Sequence, residues 1–118
     1  MPLVTFEDST DNKVASYSDG VGGVLRSEHF EATKISFPKG KGAEQHRHPE
    51  EQLSFVVSGR LQVTAGDDGE HVYEVGPGQA TFNPANILHG VVALEDTVVL
   101  SLKAPLLSDD YEATGKLS

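Results

Sequence analysis

Glycine and proline interrupt this chain at short intervals. Twelve Gly and six Pro are spread between brief runs rich in Val, Leu, Ile, Thr and Phe, so the segments between breakers suit strands of about five to eight residues better than helices. No stretch beyond a turn or two carries apolar residues at i, i+3, i+4 and i+7, the spacing of a helix packed on a core. The reading is an all-β domain with strands at 30–37, 53–57, 60–65, 71–75, 80–83, 87–94 and 97–103. Gly66-Asp67-Asp68-Gly69 joins the third of these to the fourth and supplies the positive backbone angles of a tight hairpin turn. Ser58-Gly59 and Gly76-Pro77-Gly78 mark other joints. A Greek-key barrel and a sandwich both accommodate this strand list.

The 118 residues suit one domain spanning 1–118. The polar, acidic stretches at 7–13 and 108–118 mark 1–13 and 108–118 as peripheral segments. Nine Lys and Arg against 18 Asp and Glu give a net charge of −9, which argues against nucleic acid or an anionic membrane as partner. The lack of cysteine excludes disulfides, thiolate metal sites and cysteine nucleophiles, and favours a reducing compartment. The opening MPLVTFEDSTDNK has acidic residues where a secretory leader needs a basic and then an apolar stretch, and no run reaches the length of a membrane span. The expectation is a soluble cytoplasmic protein whose partner is a small molecule.

Of five histidines, at 29, 46, 48, 71 and 89, two form His46-Arg47-His48. Residues two apart on an extended strand point to one face, so both imidazoles are able to reach one ion. Gln52 opens the strand that begins at Leu53, and it points the same way if Pro49-Glu50-Glu51 reverses the chain. His29 and His71 read as surface residues, and Phe55 and Phe82 as core. Asp67-Asp68-Gly69 lacks the longer spacing of a calcium loop. Gly20, Gly22 and Gly23 have neither the Lys-Ser/Thr nor the helix of a phosphate loop.

These histidines sit in two motifs that resemble those of the cupin family. Gly40, His46, His48, position 52 and Gly59 follow the first motif; Gly78, Pro84 and His89 follow the second, with Asn86 replacing a glycine and Ala93 an asparagine. Asn86 still tolerates a left-handed backbone. The resemblance spans residues 40–93 and implies a small jelly-roll-like β-barrel holding one divalent transition metal, Zn, Ni, Mn, Co or Fe, through His46, His48, Gln52 and His89. Most cupins carry Glu where this chain has Gln52. An amide oxygen cancels none of the ion's charge, so the ion keeps its full strength as a Lewis acid. Glu50 and Glu51 stand behind Gln52 as candidate ligands.

The stretches 46–52 and 93–100 look most like the pectin-degradation cupins, which open unsaturated uronate rings and also use Gln as the fourth ligand. Where those enzymes carry an Asp and an aromatic on the last strand and then an Arg, this chain has Ser101 and Lys103 and no Arg. Ser101 and Lys103 share a strand face and are the candidate catalytic residues. A rim position in water is the simpler reading of Lys103; an inward one makes it a base or a carboxylate anchor. The expected function is Lewis-acid chemistry on a small oxygen-rich substrate such as a sugar acid: isomerisation, ring opening, cyclisation or elimination. An iron dioxygenase and a non-catalytic binding module are the alternatives. Family analogy suggests a homodimer.

Overall fold

The computed structural model describes residues 3–7, 12–107 and 115–116. The strands, in chain order, are β1 (Val21–Arg26), β2 (Glu31–Phe37), β3 (Gly42–His46), β4 (Glu51–Ser58), β5 (Leu61–Ala65), β6 (His71–Val75), β7 (Ala80–Asn83), β8 (His89–Ala93), β9 (Thr97–Ala104) and β10 (Gly115–Lys116). The described residues contain no helix, and hence none long and apolar enough to cross a membrane. Strands are ordered β10-β1-β2-β9-β4-β7 in a six-stranded sheet and β3-β8-β5-β6 in a four-stranded one. Every pair is antiparallel except β1 with β10. Apart from residues 115–116, the expected peripheral tail from 108 onward lies outside the described residues.

Each strand expected from the sequence is present, with ends within two residues of the expected ones. β1 and β3 had no clear signal. β1 is interrupted by Gly22 and Gly23, and β3 reads GAEQH with no alternating apolar pattern. Pairing with β2 and β8, rather than side-chain pattern, makes these segments strands.

Alternation along the strands grades the interior from apolar to polar. On β9 the inward residues are Thr97, Val99, Ser101 and Lys103, and on β2 they are Phe37, Ile35, Thr33 and Glu31. These face one another in register, Phe37 with Thr97 and Glu31 with Lys103 at the two ends. β4 continues the gradient with Val56, Ser54 and Gln52, paired to Val99, Ser101 and Lys103. Val24, Ile35, Phe37, Val56, Leu61, Val63, Val75 and Val99 form the core at one end. Packing there fixes the frame, and the other end is left lined with polar side chains.

The same alternation overturns one expectation. Phe55 and Phe82 are not core: they are 46% and 51% exposed. Ser54 and Val56 turn inward on β4, so Phe55 between them must turn out, and Phe82 likewise lies between buried Thr81 and Asn83. His29 and His71 are exposed, as expected. Both cupin-like motifs include left-handed corners. Asn86 has φ 62°, and at Gly59, with φ +89°, a Cβ would stand 2.3 Å from the Asp96 carbonyl oxygen.

Candidate metal centre

His46 ends β3 and His89 begins β8, opposite one another in register. His48 lies two residues past β3, so the pleat of a strand does not align it with His46. A register irregularity between Ala43 and His46 and the bend at 49–50 bring its ring round instead. The ring centroids are 5.5 Å apart for His46 and His48, 4.3 Å for His46 and His89, and 4.9 Å for His48 and His89. One ring nitrogen from each lies within 4.8 Å of the others.

Backbone carbonyls orient all three rings in one way. Nδ1–H donates to Glu44 O at 2.6 Å in His46, to Glu50 O at 3.0 Å in His48 and to Ile87 O at 2.8 Å in His89. With the proton committed at Nδ1, each Nε2 carries a bare lone pair. Gln52 Nε2 donates to Ser101 Oγ at 2.6 Å, which turns Oε1 toward the rings, 3.2 Å from Nε2 of His48 and 3.2 Å from Nε2 of His89. Acceptors therefore face one another with no proton between them. A cation removes that repulsion, and neutral nitrogens with an amide oxygen suit a divalent transition metal. The four ligands expected from the sequence thus come together. Glu51 is exposed. Glu50 is fully buried but sits at the Nδ1 side of His48, its Oε1 3.6 Å away, and its Oε2 accepts from Leu107 N.

Burial keeps the imidazoles neutral. It pushes His46 down to about 3 and His89 to about 4, against hydrogen bonds to backbone carbonyls that act in the opposite sense. It lowers His48 as well, with Lys103 adding to the shift.

Lys103 is not at a rim in water. It is 6% exposed and lines the central cavity with His46, Gln52, Ser101 and His89. Inward alternation on β9 puts it there, opposite Glu31 on β2, which is 3% exposed. Burial lowers the Lys103 ammonium, while the Glu31 and Glu50 carboxylates hold it up. Burial raises Glu31, opposed by Lys103 and Arg26. Ser101 also lines the cavity, its hydroxyl engaged by Gln52 and by Ser54 Oγ at 3.3 Å.

Glu31, Asn83 and Tyr17 also line this cavity. Glu31 was legible, since it shares the inward parity of Thr33, Ile35 and Phe37. Asn83, whose buried Oδ1 has no hydrogen-bond partner among the described residues, follows from its pairing with Gln52 across β4 and β7. Tyr17 belongs to no strand and nothing in the sequence singled it out; its ring stacks on His46 with centroids 3.7 Å apart and an interplanar angle of 18°.

Comparison with known structures finds the same architecture. KdgF from Halomonas sp. superposes with a TM-score of 0.69 at 24% identity, over 91% of this chain and 98% of that one. An RmlC-like cupin protein from Desulfovibrio desulfuricans gives 0.66 at 27%, over 80% and 92%. The DMSP lyase DddQ from Ruegeria pomeroyi DSS-3 gives 0.62 at 23%, over 74% of this chain and 44% of that longer one. No curated protein matches the sequence. The family model for the Cupin domain matches residues 33–103, a stretch that holds all three histidines, Gln52 and Lys103 within the described sheets, and the chain belongs to that family.

Proposed function

We propose that this cupin is a metal-dependent enzyme acting on a small, anionic, oxygen-rich substrate such as a sugar acid, by isomerisation, ring opening, cyclisation or elimination. The observation that carries this reading is the set of unprotonated Nε2 atoms gathered with the Gln52 amide oxygen beside a buried lysine. A divalent ion held by His46, His48, Gln52 and His89 supplies Lewis acidity toward a carbonyl or hydroxyl of the substrate.

Charge supports an anionic ligand. Around the cavity Arg26 and Lys103 are balanced by Glu31 and Glu50, and proton exchange between Lys103 and Glu31 leaves that sum at zero. The ligands are neutral, so a bound dication carries its whole charge into a buried place, where an anion offsets it. Ser101 holds the Gln52 amide in orientation, and Lys103 presents donors to an acidic group. Among the described residues no carboxylate joins the converging atoms, which disfavours the two-His-one-carboxylate iron site of oxygenases.

The resemblance of 46–52 and 93–100 to pectin-degradation cupins makes an unsaturated uronate the first substrate to try. Metal analysis of protein purified without a His tag, followed by loss of ring absorbance on adding an unsaturated uronate, tests the reading. Turnover that requires the ion and is lost in Gln52→Ala supports it. Tight binding of sugar acids without turnover of any would make the protein a binding module.

We further propose a homodimer built on the outer face of the six-stranded sheet. Phe55, Phe82, Leu100 and Leu102 are exposed there, and the register places Phe55 opposite Leu100 and Leu53 between Phe82 and Leu102. This makes one continuous apolar patch of the kind that marks interfaces.

A further inference from the structure

Tyr17 touches the site in three ways. Its ring lies flat on His46. Its carbonyl accepts from Glu44 N at 2.9 Å, and the Glu44 carbonyl in turn accepts from His46 Nδ1–H. Its hydroxyl oxygen accepts from Lys103 Nζ at 2.7 Å, with Nζ 5.5 Å from the ring centroid. The segment that carries it is fixed to β3 just after Tyr17, through the Ser18–Ala43 bridge and Asp19 N donating to Gly42 O at 2.8 Å.

Lys103 has a choice of surroundings. Glu31, its cross-strand neighbour, and Glu50 both attract the ammonium. The Tyr17 oxygen adds a neutral partner on the side of His46, and Lys103 acts on all three imidazoles. A side chain with four rotatable bonds needs a fixed partner to stand ready for a ligand.

We propose that Tyr17 is a positioning residue that sets specificity: its hydroxyl holds the Lys103 ammonium beside the three-histidine centre, where it takes the carboxylate of an acid whose other oxygen lies at that centre. This rests on the anionic-ligand reading above. Stacking on His46 fixes the ring, so the hydroxyl is held without cost to its own freedom when ligand enters. The carbonyl contact makes the backbone around Glu44 and His46 part of the same unit.

The test compares glycolate with glycolamide, which share a hydroxyl end and differ in charge, binding to the full-length metal-loaded protein by calorimetry. Wild type prefers glycolate. Tyr17→Phe keeps the stack and the metal content, and its preference falls about tenfold, the scale of one charge-assisted hydrogen bond. Lys103→Met loses the preference to at least the same extent. Tyr17→Phe with the wild-type preference overturns this inference alone and makes the residue structural. Wild type that binds neither compound, or both equally, overturns the anionic-ligand reading and this inference with it. Loss of metal from Tyr17→Phe also overturns it, because Tyr17 would then act through His46 and not through Lys103.

Discussion

Replacing His48 by Ala removes one of the imidazole nitrogens and leaves the other ligands on strands that do not depend on it. A ligand that binds only the folded state stabilises it by RT ln(1 + [L]/Kd), about 2.7 kcal/mol at a hundredfold excess over Kd. An unfolding entropy of about 2.1 cal/mol/K per residue gives roughly 250 cal/mol/K for 118 residues. Saturating metal therefore raises the melting temperature of wild type by about 11 °C. If the variant binds a hundredfold more weakly, the same ion concentration equals its Kd, the increment falls to about 0.4 kcal/mol, and the shift drops below about 2 °C. His48→Ala also loses the ring's bond to Glu50 O, so its metal-free melting point falls too. The quantity to read is the increment on adding metal, measured by circular dichroism after chelation and again with each of Zn, Ni, Mn, Co and Fe(II), the iron run without oxygen. Equal increments in variant and wild type, or none in wild type with any of these ions, would refute the convergence of unprotonated nitrogens as the basis of a metal site.

The pH dependence has a definite sign. His46 and His89 are held at about 3 and about 4 when folded, below the free value near 6.5, so between those limits the unfolded chain binds more protons. Their contribution to the stability of the metal-free protein is therefore full above about pH 6.5 and declines as pH falls toward 4; urea melts at pH 7 and 5 check this, and His89→Gln should flatten the slope. Gly42→Ala should cost about 3 kcal/mol or more, since its Cβ would lie 1.9 Å from Val91 O and spread β3 from β8, the strands that carry His46 and His89; a melting point within a few degrees of wild type contradicts that packing. Asn83→Leu removes a buried acceptor with no partner among the described residues, an arrangement that costs about 1–3 kcal/mol, and should melt no lower than wild type without metal. Phe55→Asp should shift a sedimenting dimer to monomer; an unchanged sedimentation coefficient rejects the apolar face as the interface.

The Gly and Pro spacing determined the all-β class, and the alternation within strands was enough to pair Ser101 with Lys103 and Gln52 with Ser54 on common faces. The two cupin-like motifs singled out His46, His48, Gln52 and His89, the four side chains that converge. Those features are local, because a strand's period and a turn's dihedrals are set by neighbouring residues. Two judgements failed for the opposite reason. Phe55 and Phe82 look like core by composition, yet which face of a strand is buried depends on what lies across the sheet. Lys103 looks like a rim residue, yet its charge is tolerated inside because Glu31, seventy-two residues earlier, stands opposite it in register. Tyr17 was invisible altogether, since its position follows from the docking of an irregular segment on β3. Sequence alone set which atoms are available for the site; tertiary structure decided which charges sit beside them, because burial and cross-strand register are properties of segments far apart in the chain.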